Sequence, residues 1–190
     1  MPKRCSWANH SELMKRYHDE EWGVPVHHDK LLFEQLVLQS AQAGLSWITI
    51  LKKRENYRRV FDNFDFERIA TYDERKIQEL LNNKGIVRNE LKIRSTVNNA
   101  KIFQQVREKY GSFNDYIWNF VDNTPIQNHW NGLEEIPGET ELSKTISKQM
   151  KKLGFSFIGP TIMYAYMQAV GMVNDHLTYC YRYSELKDTG

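Results

Sequence analysis

The sequence predicts an all-α fold, and three observations carry that prediction. Apolar residues recur at helical spacing through most of the 190 residues, capping residues stand just before the apolar runs, and no stretch alternates apolar with polar residues between turn dipeptides. The length suffices for one sizeable core and no low-complexity stretch divides it, so residues 1–190 are expected to form a single domain of two packed helical lobes.

The elements follow in order. From Asp29 to Ala43 the apolar positions Leu32, Phe33, Leu36 and Val37 share one face, with Asp29 as N-cap and Gly44 as a stop. A second helix is expected from Ser46 to Lys53, and further helical segments over 56–61, 67–71, 74–82, 89–109, 112–121 and 141–153. Asp65 caps the segment beginning at Phe66, and Tyr72-Asp73-Glu74 opens the next. Between 123 and 141 lie Pro125, Asn131-Gly132 and Pro137-Gly138, the composition of a surface excursion joining two helical groups.

Composition excludes several classes. No apolar run approaches the roughly 20 residues that span a bilayer, and Met1-Pro-Lys-Arg is followed by polar residues, so a cytoplasmic protein with no membrane partner is expected. The net charge of +2 gives no general polycation argument. Its distribution is more informative: Lys144, Lys148, Lys151 and Lys152 share a helix face, and Lys52, Lys53, Arg54, Arg58 and Arg59 form a second cluster. Each also reads as an ordinary solvated face.

Two linkers have the make-up of binding elements. Leu153-Gly154-Phe155-Ser156-Phe157-Ile158-Gly159-Pro160-Thr161 reads as a tight hairpin entering a new helix, with Pro160 in its first turn. Such a turn offers backbone N–H groups to a phosphate and has the shape of a helix-hairpin-helix element, although a glycine-bounded link between core helices fits the same residues. Gln42-Ala43-Gly44-Leu45-Ser46-Trp47 sets an apolar tip, Leu45, beside a large aromatic. A small apolar wedge is what fills a gap in a base stack. Tyr17, Trp7, Trp22 and Trp47 would wall a pocket if they converge.

The two cysteines, Cys5 and Cys180, are the only ones in the chain, too few for a secreted disulfide framework. His176 precedes Cys180 by four residues, the spacing of one helical turn, and Cys5 with His18 would complete a Cys2His2 set tying the termini together. Two reduced thiols and two unrelated histidines fit the spacing equally well.

Together these pieces resemble the bacterial 3-methyladenine DNA glycosylase I family, commonly called TAG, of the helix-hairpin-helix glycosylase superfamily. The resemblance spans nearly the whole chain and rests on Tyr17-His18-Asp19-Glu20-Glu21-Trp22-Gly23-Val24-Pro25, the string from Gln42 through Trp47 to Arg54, and Gly171-Met172-Val173-Asn174-Asp175-His176. It implies excision of 3-methyladenine, as the free base, from alkylated double-stranded DNA by a monomer. It also implies one structural zinc ion held by Cys5, His18, His176 and Cys180. Gly154, Gly159 and Thr161 fall on the DNA-anchoring hairpin, Gly44 and Leu45 on the loop that fills the space of an extruded nucleotide, and Tyr17, Trp47, Trp7, Trp22 and Tyr164 on the base pocket.

The chain departs from the family at two positions. Gln39 stands where a glutamate reads the base, replacing a negative charge by an amide that can still donate to adenine N7 and accept from its N6 amine. Met14 replaces a tyrosine found in some members. Many relatives in the superfamily place an aspartate where this chain has Asn174; with Asp175 expected to point elsewhere, no carboxylate general base is expected. Two other classes stay open: a zinc-stapled DNA-binding protein with weakened or no chemistry because of Gln39, and a zinc hydrolase, which would need a vacant coordination position.

Overall fold

The computed structural model describes residues 2–187 and, among them, ten α-helices with short 3-10 turns. Its centre is α2 (Asp29–Gln42), in which every residue from Leu32 to Ala41 is buried. A helix buried all round is an axle around which others pack. On it lie α3 (Trp47–Val60), α6 (Glu90–Tyr110), α7 (Phe113–Trp118) and α9 (Pro160–Ala169), while α4 (Phe66–Ile69) and α5 (Glu74–Leu81) pack on α6. Asp29, expected to cap α2, is its first residue. Its carboxylate accepts from Arg107 and from the backbone N–H groups of Phe113 and Asn114, so it ties α2 to α6 and to the start of α7.

The segments expected over 46–53 and 56–61 are one continuous helix, α3, because nothing at residues 54–55 breaks it. The sequence reading passed over α1 (Glu12–Glu20), whose N-cap Ser11 accepts from the Met14 amide. Asp65, Asp73, Asn89, Ser112 and Thr140 each cap a following helix through the side chain, as the caps required.

One feature departs from the all-α reading. In the excursion before α8 (Glu141–Leu153), β1 (Ile126–Gln127) pairs in parallel with β2 (Val173–Asn174), in the register Ile126 to Val173 and Gln127 to Asn174. Two residues are too short to show alternation in sequence. The pairing satisfies backbone groups, including the Ile126 amide on the Met172 carbonyl, and pins the excursion to the segment before α10 (Tyr181–Lys187). His176 and Cys180 lie in bends and a turn before α10, not on a helix, so the four-residue spacing is realised by a loop. Among the described residues no helix is long and apolar enough to cross a membrane.

Candidate base pocket, wedge and metal cluster

Three constructions make up the candidate site. The first is a cavity of about 260 Å³ walled by Trp7, Met14, Tyr17, Trp22, Gln39, Gln42, Trp47, Ala165 and Gln168. Tyr17 and Trp47 are inclined at 49° with ring centroids 5.3 Å apart, Trp7 stands edge-on to Trp22 at 5.1 Å, and Trp7 lies 6.5 Å from Tyr17. Four of the five aromatics expected in the pocket, Trp7, Tyr17, Trp22 and Trp47, line it, and Tyr164 does not. An Arg54–Glu21 fork at 2.6 and 2.9 Å binds the α3 wall, which carries Trp47, to the turn that carries Trp22.

The pocket is polar in an unusual way. Tyr17 Oη and Trp47 Nε1 are buried without a hydrogen-bond partner, and neither Gln39 nor Gln42 makes a side-chain hydrogen bond among the described residues. Burial, with Glu21 adding, raises the Tyr17 phenol well above its ordinary range, so the hydroxyl stays un-ionised. Buried groups left without partners in the free protein are groups available to a ligand. Sequence reasoning missed Gln42, although it lies within the loop string, and it missed Ala165 and Gln168. These two sit on one face of α9 with Tyr164, at the three- and four-residue spacing that could have revealed them. Tyr164 lies outside the pocket lining, in an adjoining groove that also holds Thr161.

The second construction is the pair of loops beside the pocket. Gly44 adopts φ +80°, a left-handed conformation that strains other residues, and projects Leu45 outward at 40% exposure. Lys92 donates to the Ala41 and Ala43 carbonyls at 3.0 and 2.6 Å, capping the end of α2 and fixing this tip. The hairpin from Gly154 to Gly159 is fastened from several sides. Asn98 donates to the Gly154 carbonyl, Asn99 both donates to and accepts from Ser156, Ser40 donates to the Phe157 carbonyl, and Ser147 donates to the Ile158 carbonyl. Gly154 ends α8 in a left-handed conformation, and Gly159 opens α9 without a side-chain cap and with open space around it. Lys144, Lys148, Lys151 and Lys152 line a depression of about 460 Å³ that reaches Pro160. An uncapped helix start beside four lysines suits a phosphate backbone.

The third is the cluster of Cys5, His18, His176 and Cys180, all buried, with ligand atoms within 4.8 Å of one another. Cys180 Sγ lies 3.4 Å from His18 Nε2 and 3.6 Å from His176 Nδ1, and Cys5 Sγ lies 3.7 Å from His176 Nδ1. Metal–sulfur and metal–nitrogen bonds of about 2.3 and 2.0 Å at tetrahedral angles give an edge of about 3.6 Å, so these separations suit a four-coordinate ion. The outer nitrogens are engaged as well, His18 Nδ1 with Asp19 at 2.8 Å and His176 Nε2 with the Trp22 carbonyl at 2.9 Å. Those contacts aim both lone pairs at the cluster centre. Arg4 in turn forks onto Asp19 and holds its carboxyl down to about 2 against the opposing effect of partial burial.

Asn174 and Asp175 both lie beneath these sites. Asn174 donates to Gln127 and to the Tyr183 carbonyl and accepts from the His176 amide, a role confined to shaping the loop. The buried Asp175 is not in the pocket lining, in keeping with the expectation that it points elsewhere.

The profile of the methyladenine glycosylase family matches residues 7–183. The chain belongs to that family. It is 44% identical over 178 residues to DNA-3-methyladenine glycosylase 1 of Escherichia coli strain K12, covering 94% of this chain and 95% of the relative. A crystal structure of 3-methyladenine DNA glycosylase I superposes with a TM-score of 0.92 at 46% identity, covering 94% of this chain and 98% of that one. A tyrosine-to-phenylalanine variant of such an enzyme, solved with 3-methyladenine bound, superposes at 0.91 with 31% identity, covering 94% and 96%. The glycosylase is therefore an enzyme of DNA repair.

Proposed function

We propose that this glycosylase excises 3-methyladenine from alkylated duplex DNA by extruding the nucleotide, stacking the base on the aromatic wall that Tyr17 and Trp47 form, and contacting its edge with Gln39. The observation that carries the reading is that the last turns of α2 serve three elements: Gln39 and Gln42 line the aromatic pocket, the exposed Leu45 tip follows directly, and Ser40 holds the hairpin through the Phe157 carbonyl. Leu45 fills the vacated stack while Gly154, Gly159 and Thr161 hold the phosphate backbone. Trp7 and Trp22 close the pocket.

Methylation at N3 makes the purine cationic, so its glycosidic bond is already weak and the base leaves neutral. The demand on the protein is to extrude, desolvate and hold the damaged base. A cationic purine stacks favourably on tyrosine and tryptophan faces. The pocket lining has no carboxylate and no histidine, which restricts excision to bonds that are already labile.

Cys5, His18, His176 and Cys180 hold one zinc ion in this reading. The ion supplies structural cross-linking of the two ends of the chain, since its four protein ligands close the coordination sphere. The pocket touches this clasp through Trp22, whose carbonyl orients His176, and through Tyr17, the neighbour of His18.

The test is release of free 3-methyladenine from methylated duplex, followed chromatographically with substrate in excess. Multiple turnovers are expected. Duplex binding without base release would replace the enzyme reading by that of a zinc-stapled DNA-binding protein.

A further inference from the structure

Four donors converge on the buried carboxylate of Asp175. Oδ1 accepts from Asn128 Nδ2 at 2.7 Å and Trp130 Nε1 at 2.9 Å, and Oδ2 accepts from the Tyr164 hydroxyl and from Gln168 Nε2 at 2.8 Å. Two of these donors come from the excursion between residues 123 and 141, which gives that segment a purpose beyond connection. A carboxylate only accepts, so the Gln168 amide has one permitted orientation: its NH2 faces Asp175. Its Oε1 faces away from Asp175, has no partner among the described residues, and is not sealed from solvent. Gln168 lines both the base pocket and the adjoining groove. Its main chain is fixed as well, the carbonyl accepting from the Gly23 amide at 3.1 Å.

The other two amides of the pocket are not fixed in this way. Gln39 and Gln42 lack side-chain hydrogen bonds among the described residues, so each can turn either end toward a ligand. An amide free to turn can accept from an amine or donate to a carbonyl, so Gln39 and Gln42 can contact the edge of the base without by themselves fixing which substituent stands at C6. Gln168 cannot turn without placing its carbonyl against an anion.

We propose that Gln168, locked by Asp175, presents a fixed acceptor to the extruded base, receives its exocyclic amine, and thereby selects 6-amino over 6-oxo methylpurines. This rests on the base occupying the pocket as described above. A 6-amino purine loses water from its amine on entry and needs an acceptor, which Gln168 Oε1 supplies. A 6-oxo purine brings lone pairs against lone pairs and leaves both oxygens unsatisfied. Donation to an anion polarises the Gln168 amide and strengthens its oxygen as an acceptor, so part of the negative character lost with a glutamine at position 39 returns from a carboxylate placed behind the pocket.

Calorimetric titration of the full chain with free 3-methyladenine and free 3-methylguanine tests this. The native protein is expected to prefer 3-methyladenine. In Gln168→Met, which keeps length and packing, the ratio of the two dissociation constants should fall about tenfold. Asp175→Asn offers its own NH2 to Gln168 and turns the amide over, so the ratio should fall at least as far; either variant decides the matter if the other fails to fold. A purely structural role would weaken both ligands together and leave the ratio where it was, and that result overturns the proposal. Trp47→Ala separates the two readings. If it weakens both ligands while Gln168→Met leaves the ratio unmoved, the selection by Gln168 is wrong. If Trp47→Ala changes neither affinity, the base does not sit in this pocket and the reading beneath the proposal falls.

Discussion

The metal cluster and the base pocket adjoin one another and are built on opposite principles. At the cluster every polar atom has a partner: the two histidines are held from outside by Asp19 and the Trp22 carbonyl, and all four ligand atoms face inward. At the pocket Tyr17 Oη and Trp47 Nε1 are buried without a partner, and the amides of Gln39 and Gln42 make no side-chain hydrogen bond, among the described residues. Satisfied polar groups hold a fold together, and unsatisfied ones in a cavity are stability held back for a ligand. The difference predicts which substitutions reduce folding and which reduce function.

The largest effect should come from the cluster. With zinc bound as proposed, Cys180→Ala would leave the ion with three protein ligands and untie the segment before α10 from the first turn of the chain. A loss of at least about 4 kcal/mol is expected, equivalent to roughly 10 °C or more in melting temperature for a chain of this size. Chelation of the native protein should produce the same shift, and chelation of Cys180→Ala should add little. Measured beside base release, melting should fall first; full melting stability with abolished excision would make the cluster catalytic and erase the contrast.

Trp47→Ala is the converse. Loss of one stacking face should weaken 3-methyladenine binding by about ten- to a hundredfold, at the 1–3 kcal/mol that an aromatic platform contributes per base. Part of Trp47 also packs on the core, so stability falls as well, but by less than at the cluster. Equal losses at both would show that the two sites are one structural unit.

Gln39→Glu moves the pocket toward the character of the cluster by adding a charge. Gln39 is only 4% exposed, so the new carboxylate should lower stability by about 1 kcal/mol while raising kcat/KM on methylated duplex several-fold through attraction to the cationic base. Equal rates for the two proteins would show the charge at this position to be dispensable.

How much of this was legible in the sequence follows the same divide. The helices and their caps could be read because each depends on local spacing, whereas for the four cluster residues the rarity of cysteine only raised the question and the resemblance to the family supplied the set. The four aromatics stood out as residues able to wall a pocket if they converged, and the role of position 39 came through the resemblance to the family. Gln168 did not show, because its role depends on a carboxylate seven residues away reached through a turn, and glutamine on a helix carries no signal of its own. The expectation that His176 and Cys180 share a helix face failed for a related reason: a loop can bring two residues together at any spacing. The β1–β2 pairing is too short to leave a pattern.

The smallest effects compare two buried phenols. Tyr166 donates to the Leu32 carbonyl at 3.1 Å, whereas Tyr17 donates to nothing in the free protein. Tyr166→Phe should therefore cost up to about 1 kcal/mol, and Tyr17→Phe should be neutral or stabilise by a similar amount, because it removes an unsatisfied hydroxyl. pH gives an independent reading. Burial raises the Tyr166 phenol well above its ordinary value of 10, with Asp29 adding to the effect. A raised value means that the folded state keeps a proton which the unfolded chain releases, so this group's contribution is intact below pH 10 and is lost as pH rises beyond it. Urea titrations across the alkaline range should show stability falling less steeply in Tyr166→Phe than in the native protein, with the two curves parallel below pH 10. Parallel curves throughout would mean that the Tyr166 site opens to solvent before the rest of the core, and that satisfaction of a buried phenol does not mark the rigid part of this molecule.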